Sequence, residues 1–449
     1  MKIITTSIKD NLFFSEREIK EGNKPENYEN SIVNVFDDVE YQTILGFGGA
    51  FTESSAYNYS QMSEKNKKLF LESYFDKEKG IGYNFGRTHI NSCDFSLKSY
   101  TYVDNDDKDL KTFDISHEKQ YLIPLIKDAK KYINEELILF SSPWSPPAFM
   151  KDSSKMIEGG KLKKEYMSSW ALYYCKYIKE MKKQGIEIWG LTIQNEPLAT
   201  QPWESCPYSA SDEATFAKEY LIPTLEKEGL GDIKVMIWDH NKERVYDRAK
   251  EILSDGYLND KIFGVAYHWY SGEHFEGLKL VAEVLKKPVI CSEFCCSYNM
   301  DPVEIAELYS KEMTENINNY MIASCDWNLL LNSYGGPYHN RTYRKEAPSM
   351  DPVNGCASPI MYNEKEDKLI FTPSYYYIGH FSKYVKRGAK HIATTKYASK
   401  IYATAFKNPN GEIVVVITNP NEKEKVVIRH NGICTEFEMP SHSISTIIL

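Results

Sequence analysis

Two glutamates occupy positions where a carboxylate can do chemistry. Glu196 lies in the tripeptide Asn195-Glu196-Pro197 after an apolar run, and the proline keeps it out of helical geometry. Glu293 follows the apolar stretch 288–291, where a carboxylate is rarely found unless it is paired or functional. Two carboxylates from two strands are the minimal machinery for hydrolysing a glycosidic bond. The pair therefore predicts a glycosidase with Glu196 as proton donor and Glu293 as nucleophile.

Each glutamate also has a structural interpretation. Glu196 fits an exposed turn that ends a strand equally well, and Glu293 fits a buried glutamate neutralised by a residue such as Arg87. Arg87 can serve both purposes, because charge-assisted hydrogen bonds would also hold a nucleophilic Glu293 ionised. A separation of about 5 Å between the carboxyl groups predicts retention at the anomeric carbon, and roughly 6.5–9.5 Å predicts inversion. The sequence leaves that choice open.

Aromatic residues follow or end several apolar runs, namely Trp144, Trp203, Trp269, Tyr270 and Trp327. Flat rings beside polar side chains suit the apolar faces and hydroxyls of a sugar. Core packing is the alternative, and it stays open for Trp269 and Trp327. Trp144 lies between prolines, so we expect a rigid exposed loop that contacts the ligand.

Four further residues raise the question of a metal: His89, Asp94, Asp239 and His268 come from separate apolar runs. They form no compact ligand motif such as His-Glu-x-x-His. Hydrogen bonding is the favoured interpretation, and a metal-dependent barrel hydrolase remains an alternative. We predict no metal and no organic cofactor.

The elements that must position these residues follow a regular alternation. Helical spacing of apolar residues separates the β-rich runs and is clearest at 216–228 and 302–317. Runs that are apolar throughout indicate burial on both faces, as in a parallel sheet. An open doubly wound sheet is compatible with this pattern, but a count of eight favours a (β/α)8 TIM barrel. The eight runs are 44–50, 83–91, 137–143, 186–197, 234–239, 262–270, 288–294 and 323–331.

Both chain ends have a different pattern. The runs 401–407, 412–418 and 425–430 are separated by Asn-Pro turn sequences, and 444–449 follows them. Short β-like runs at 2–7 and 31–36 are expected to join them. The sequence thus predicts a side β-sandwich built from both termini, with domains at 1–43, 44–385 and 386–449.

Composition narrows the function further. The chain has 449 residues and a formal net charge of -9, which disfavours binding to nucleic acid or to an anionic membrane. It contains no apolar run of about 18 residues, so no membrane span is predicted. The start of the chain does not have the pattern of a signal peptide, and nine cysteines without an export signal indicate reduced thiols in the cytoplasm.

Taken in order, the motifs resemble glycoside hydrolase family 30, and especially its glucosylceramidase-like branch. The resemblance covers roughly residues 44 to 390, with weaker similarity at both ends. It is carried by GFGGAFT at 46–52, SCDFS at 92–96, SPWSPP at 142–147, NEP at 195–197, HWY at 268–270, SE at 292–293, DWN at 326–328 and GHFSKY at 379–384.

This resemblance implies a (β/α)8 barrel with a side β-sandwich and a retaining mechanism without metal or cofactor. It implies that Glu196 is the acid/base and Glu293 the nucleophile, while Asn195 binds the sugar 2-hydroxyl. Arg87 matches the strand-two arginine near the nucleophile. Four residues match the lining of the sugar pocket: Trp144, His268, Tyr270 and Trp327.

The substrate is expected to be a carbohydrate, with terminal β-glucosides such as those of sphingolipids as the first choice. Glu53 stands where the branch usually has aspartate as a clamp on a sugar hydroxyl, so glucose recognition is left open. A β-xylosidase, a β-fucosidase and an endo-β-1,6-glucanase are alternatives from the same family, and a silent carbohydrate-binding protein is a further one. The sequence does not place Trp203 and Glu204 or reveal the oligomeric state.

Overall fold

The computed structural model describes residues 1–25, 28, 32–339, 355–397 and 401–449. The strands are β1 (Lys2–Ser7), β2 (Leu12–Glu18), β3 (Ile32–Thr43), β4 (Gly46–Phe51), β5 (Phe85–Ile90), β6 (Ile138–Pro143), β7 (Gly190–Thr192), β8 (Lys234–Asn241), β9 (Gly264–His268), β10 (Val289–Glu293), β11 (Cys296–Ser297), β12 (Met321–Asp326), β13 (Leu330–Asn332), β14 (Cys356–Ala357), β15 (Ile360–Asn363), β16 (Lys368–Phe371), β17 (Lys390–Lys396), β18 (Tyr402–Lys407), β19 (Ile413–Asn419), β20 (Glu424–His430), β21 (Ile433–Met439) and β22 (Ser443–Ile448).

The α-helices lie mainly between the barrel strands. They are α1 (Glu53–Gln61), α2 (Glu64–Phe75), α3 (Leu122–Lys130), α4 (Met167–Lys183), α5 (Ala210–Thr215), α6 (Ile222–Lys227), α7 (Val245–Leu253), α8 (Gly256–Lys261), α9 (Phe275–Val284), α10 (Pro302–Asn318) and α11 (Pro373–Ser382). A π-helical segment, Phe216–Leu221, joins α5 to α6. No helix within the described ranges is long and apolar enough to span a bilayer.

Eight parallel strands close into a barrel in the order β4-β5-β6-β7-β8-β9-β10-β12. Strands such as β5 and β6 are buried at every position because helices cover the outside while side chains fill the inside. The inner layer includes Phe85, Phe140 and Met236, which belong to a core cluster separate from the one under the helices. The predicted barrel is confirmed.

The side domain is one hydrogen-bonded sheet of nine strands that uses both chain ends. β1 pairs with β22, and β3 pairs with β17 and β20. Along β19, Val415 packs in the core of the sheet, while Val414 and Val416 face the barrel core. Both faces of this strand are therefore covered, which explains its unbroken β-branched sequence. Residue 31, at the start of a predicted run, lies outside the described residues.

Several elements were not expected from the sequence. β2, β17 and β21 complete the nine-stranded sheet, with β2 and β21 at its two edges. The predicted run 186–197 contributes only the three residues of β7 to the barrel. Its remaining part turns away from the ladder, and that turn carries Glu196 into the mouth of the barrel.

Candidate active site

A cavity opens at the carboxyl-terminal ends of the barrel strands. Its volume is about 320 Å³, near the lower end of the ~300–1,000 Å³ that ligand pockets span. Both predicted glutamates lie in it. Its lining consists of Asp94, Phe95, Trp144, Asn195, Glu196, Gln201, Trp203, His240, Asn241, Tyr270, Glu293, Cys295, Trp327 and Cys356.

Glu196 is presented by a tight turn after β7. Its φ angle is 47°, in the left-handed region, and its backbone N–H donates to the carbonyl of Asp239 at 2.9 Å. Pro197 prevents this segment from continuing as a helix. The side chain points at His268, whose Nδ1 lies 3.3 Å from Oε1. The turn therefore fixes Glu196 on one side of the cavity.

Glu293 ends β10 and is held more tightly. Arg87 donates from Nη1 to its Oε2 at 2.6 Å, and the hydroxyl of Tyr270 donates to its Oε1 at 2.9 Å. Both partners are donors, and donors stabilise the ionised form of a carboxylate. This environment suits a nucleophile. An oxygen of Glu293 and an oxygen of Glu196 lie within 4.8 Å of each other.

Arg87 connects most of the buried polar groups under the cavity. From the middle of β5 its Nη2 donates to Oδ1 of Asn195 and to Oδ2 of Asp239, both at 2.8 Å. Its Nε donates to the hydroxyl of Ser142 at 3.0 Å. Because Asn195 accepts through its amide oxygen, its Nδ2 remains a donor for a ligand. No hydrogen bond within the described ranges uses that nitrogen.

His268 joins the two glutamates from below. Its Nε2 lies 3.0 Å from Oδ1 of Asp239, and its Nδ1 lies 3.3 Å from Glu196 and 3.8 Å from Glu293. Burial acts to lower its pKa, but these carboxylates outweigh burial and raise the pKa to about 10. The imidazole is therefore a cation at neutral pH. A protonated ring has no free lone pair, so His268 is a poor metal ligand in this state.

The charges beneath the cavity nearly balance. Arg87 and His268 are cations, while Asp239, Glu196 and Glu293 supply three carboxylates. Arg87 and His268 hold the pKa of Asp239 far below its ordinary value despite its burial. One additional proton on the two glutamates makes the set neutral. A pair with one proton contains one acid and one base, as a double displacement requires.

The pKa values of the two glutamates shift in opposite directions. Burial raises the pKa of Glu293 above its ordinary value, although His268 and Arg87 oppose the change. Burial also acts to raise the pKa of Glu196, but the hydrogen bond and charge of His268 outweigh it and lower the pKa. The two groups titrate as a pair.

Aromatic rings form one wall of the cavity. Trp144 and Trp327 stack with ring centroids 5.2 Å apart, and the guanidinium of Arg87 lies 4.6 Å from the Trp144 ring. Phe95 meets Trp327 edge to face at 5.8 Å. Such stacked rings offer a flat apolar surface, and the cation beneath them keeps the wall rigid.

The sequence reasoning did not assign several lining residues to the ligand. Asp94 was weighed as a metal ligand or, preferably, a hydrogen-bonding partner; it lines the cavity, and its Oδ1 has no hydrogen-bond partner in the described structure. Burial raises its pKa well above the ordinary value, so this carboxyl can donate to a ligand hydroxyl. Gln201, His240 and Asn241 line the side near Glu196. His240 and Asn241 are the last two residues of β8, and this position at a strand end was the available signal.

Comparison with known proteins agrees with this geometry. Residues 44–385 match the glycosyl hydrolase family 30 TIM-barrel domain, and residues 388–447 match the family 30 beta sandwich domain. The chain belongs to glycoside hydrolase family 30. The suspected family is thus confirmed, and the chain is an O-glycosyl hydrolase.

Three relatives place the chain within family 30. The lysosomal acid glucosylceramidase of Mus musculus is 29% identical over 407 residues, which cover 86% of this chain and 76% of that protein. The crystal structure of SrfJ from Salmonella typhimurium is 34% identical with a TM-score of 0.94, covering 100% of this chain and 99% of that one. The endo-beta1,6-glucanase BT3312 is 26% identical with a TM-score of 0.87, covering 100% of this chain and 98% of that one.

The family 30 site unites most of the predicted residues, but Glu53, Arg87 and His268 do not line the cavity. Arg87 lies beneath it and binds Glu293. Asn195, Tyr270, Trp327 and both glutamates line the cavity. His268 does not line it and instead holds the carboxylates from below. An irregularity in β10 sets Glu293 rather than Ser292 beside His268 in register. His268 is thus a positioning residue.

Glu53 does not line the cavity either. It is 2% exposed, its Oε2 accepts from the Leu97 N–H at 2.9 Å, and its Oε1 lies 2.7 Å from Nε2 of His117. Both oxygens are therefore occupied, and the predicted clamp on a sugar hydroxyl has no support in this geometry. Glu53 instead anchors the loop that carries Asp94.

The structure also places Trp144 and Trp203, the two tryptophans that follow β6 and β7. Trp144 lines the cavity, but it is only 2% exposed, so the expectation of an exposed loop was wrong. The prolines around it turn the chain inward over Arg87. Trp203 lines the cavity, whereas Glu204 is buried and accepts from Ser92 and Ser99 at 2.7 Å.

The residues weighed as metal ligands take part in hydrogen bonds. The Nε2 of His89 accepts from the backbone N–H of Glu53 at 3.1 Å, and its Nδ1 lies 2.7 Å from the carbonyl of Asn91. Asp239 is used by Arg87 and His268. Both residues therefore act as the hydrogen-bonding partners that we favoured.

Proposed function

We propose that Glu196 and Glu293 hydrolyse terminal β-glucosides by double displacement with retention of configuration. The observation that carries this proposal is the separation of the two carboxylates, whose closest oxygens lie within 4.8 Å. Retaining glycosidases place their carboxyl groups about 5–5.5 Å apart, whereas inverting enzymes need roughly 6.5–9.5 Å to admit a water. The short distance between these oxygens therefore supports the retaining arrangement.

The mechanism follows from the partners of each carboxylate. Glu196 protonates the leaving oxygen, while Glu293 attacks the anomeric carbon and forms a glycosyl-enzyme. Arg87 and Tyr270 stabilise the Glu293 carboxylate and orient it. Glu196, now ionised, removes a proton from water, which releases the sugar. Nδ1 of His268 lies 3.3 Å from Oε1 of Glu196 and 3.8 Å from Oε1 of Glu293. The charged ring therefore stabilises the negative charge on either glutamate during the reaction.

The sugar pocket supports an exo-acting enzyme for glucose. Trp144, Trp327 and Phe95 supply a flat wall, and Asp94 and Asn195 supply hydrogen bonds to hydroxyls. A volume of about 320 Å³ accommodates one sugar ring and part of the leaving group. The similarity to a lysosomal acid glucosylceramidase supports a β-glucoside as substrate.

An endo-β-1,6-glucanase is a second candidate, and a specific feature favours it. Gln201, His240 and Asn241 form a polar rim near Glu196, with Trp203 beside them. This is the side that receives the leaving group, and a second sugar could stack and hydrogen-bond there. The similarity to the endo-beta1,6-glucanase BT3312 also supports this second candidate.

A substrate panel tests the proposal. Nitrophenyl β-glucoside, β-xyloside and β-fucoside, glucosylceramide and a β-1,6-glucan are compared by kcat/KM, and the first-formed anomer is recorded by NMR. We expect the highest kcat/KM on a β-glucoside and the β-anomer as first product. Release of the α-anomer would reject retention, and preference for the polymer would select the second candidate.

We also propose a reducing, cytoplasmic location. The chain has nine cysteines, and eight of them are buried. Proteins of oxidising compartments instead use such residues in disulfides. Fractionation of the source cells with an antibody to this chain tests the proposal, and recovery only from an exported fraction would reject it.

A further inference from the structure

Two thiols lie side by side on the wall of the cavity. Cys295 follows Glu293 by two residues, and Cys356 begins β14, which pairs with β11 in antiparallel register. This pairing holds the two sulfurs 2.9 Å apart. Both residues line the cavity, and Cys295 is the most exposed cysteine of the chain. The glycosidase mechanism uses neither thiol.

We propose that Cys295 and Cys356 are a redox-modification site whose oxidation to an intramolecular disulfide slows the glycosidase. The proposal rests on the function assigned to Glu196 and Glu293, because it is their activity that oxidation changes. The oxidant is a low-molecular-weight disulfide. Sulfurs in a disulfide lie about 2.05 Å apart, so a movement of roughly 0.9 Å joins this pair.

The reaction proceeds in two exchanges. The Cys295 thiolate attacks one sulfur of the oxidant, which forms a mixed disulfide and releases one thiol. Cys356 then loses its proton and attacks Sγ of Cys295, which forms the internal bond and releases the second thiol. Two protein thiols are oxidised and one small disulfide is reduced to two thiols. Cys295 reacts first because it is more exposed. The hydrogen bond with Cys295, together with burial, holds the pKa of Cys356 well above its ordinary value.

The disulfide acts on catalysis through Tyr270. Sγ of Cys295 lies 3.4 Å from the hydroxyl oxygen of Tyr270, and that hydroxyl donates to Glu293 at 2.9 Å. Oxidation removes the thiol proton and draws Cys295 toward Cys356. The loop directly after the nucleophile then shifts, and the contact that supports Tyr270 is lost. A displacement of about 1 Å in a catalytic site can cost on the order of 10²-fold in rate.

The test treats the full-length enzyme with oxidised glutathione. Peptide mapping without reductant then identifies the bonded cysteines, and turnover of a nitrophenyl β-glucoside is measured before and after treatment. We expect a Cys295–Cys356 cross-link, a loss of turnover of at least about tenfold, and full recovery with dithiothreitol. Both thiols free after inactivation, or the cross-link with unchanged turnover, would overturn the proposal.

Two variants provide the controls, each compared with its own reduced form. Cys356→Ala is expected to stop at the mixed disulfide, with glutathione on Cys295, whereas Cys296→Ala, altered at the buried neighbour, is expected to form the same Cys295–Cys356 cross-link as wild type. A treated Cys356→Ala variant without glutathione on Cys295 would reject the site. If the reduced wild type shows no glycosidase activity, the proposed function fails, while the peptide map still decides whether this disulfide forms.

Discussion

Arg87 and Glu293 form a buried ion pair with 2.6 Å between Nη1 and Oε2. The pair connects the middle of one barrel strand to the end of another, so the orientation of the nucleophile depends on the barrel itself. The same guanidinium reaches Asn195 and Asp239. Several predictions about this site can be tested separately.

Replacing Arg87 by methionine should impair both folding and activity. The change leaves Glu293 and Asp239 without their common cation, and loss of one partner of a buried pair costs about 3–5 kcal/mol. Chemical denaturation measures the free energy of unfolding. Arg248→Met is the matched control, because Arg248 forms a buried pair with Glu213 away from the cavity. That variant should be similarly destabilised and keep its kcat/KM. Equal losses of activity in both would show that Arg87 has only a structural role.

Tyr270→Phe should lower kcat/KM by roughly tenfold or more. The variant removes the hydroxyl that donates to Oε1 of Glu293, and hydrogen bonds to charged groups contribute about 1.5–3 kcal/mol. Tyr267→Phe is the control, because Tyr267 lies in β9 shortly before Tyr270 and packs in the core under the helices. Steady-state kinetics on nitrophenyl β-glucoside compares the two. Unchanged kinetics in Tyr270→Phe would remove this tyrosine from the mechanism.

The charge of His268 should make stability depend on pH. An unfolded histidine loses its proton near pH 6.5, and the folded one does so near 10. Its contribution to stability is therefore complete below pH 6.5 and is lost as the pH rises through 10. We expect wild type to lose a few kcal/mol more than His268→Gln between pH 6 and 10. Denaturation series at several pH values measure this difference, and parallel curves would contradict the assigned pKa.

Asn195→Ala should weaken catalysis chiefly because it removes a hydrogen bond to the sugar 2-hydroxyl. Its Nδ2 is available to the ligand because Arg87 binds the amide oxygen. Contacts to this hydroxyl contribute several kcal/mol in the transition state. We expect a large fall in kcat/KM on a glucoside and a much smaller one on the 2-deoxy-glucoside. Equal effects on the two substrates would mean that Asn195 does not contact this hydroxyl.

Glu196→Gly and Glu293→Gly should respond differently to azide. Without Glu196 the glycosyl-enzyme still forms from substrates with a good leaving group, and azide then yields a product of retained configuration. Without Glu293, azide replaces the nucleophile directly and yields an inverted product. General acid–base catalysis contributes about 10²–10⁴-fold, so loss of Glu196 should be most severe for poor leaving groups. NMR of the glycosyl azides decides the assignment, and identical products would reject it.

The barrel could be predicted because its strands are buried on both faces and appear as apolar runs. The details of the site could not be predicted, since they depend on places where the chain departs from regular strand geometry. Trp238 and Asp239 have positive φ angles of 77° and 53°, and the ladder between β8 and β9 shifts there. This irregularity turns Asp239 toward Arg87 and His268. No periodic pattern reveals such a turn.

Other differences between the prediction and the structure arise from contacts between residues that lie far apart in the chain. The occupied carboxylate of Glu53 depends on His117, which lies 64 residues away in the chain. The strands β17 and β21 contain many polar residues, and they become strands because hydrogen-bonding partners lie beside them. Motif order correctly united the glutamates, because strand ends in a parallel barrel meet at one face.

Trapping of the covalent intermediate tests the central claim most directly. A 2-fluoro glucosyl inactivator with a good leaving group slows hydrolysis of the glycosyl-enzyme, so the label accumulates and peptide mass mapping locates it. The account predicts one label on Glu293 in wild type and none in Glu293→Gln. A label on Glu196 or another residue, or inactivation without any covalent label, would contradict it.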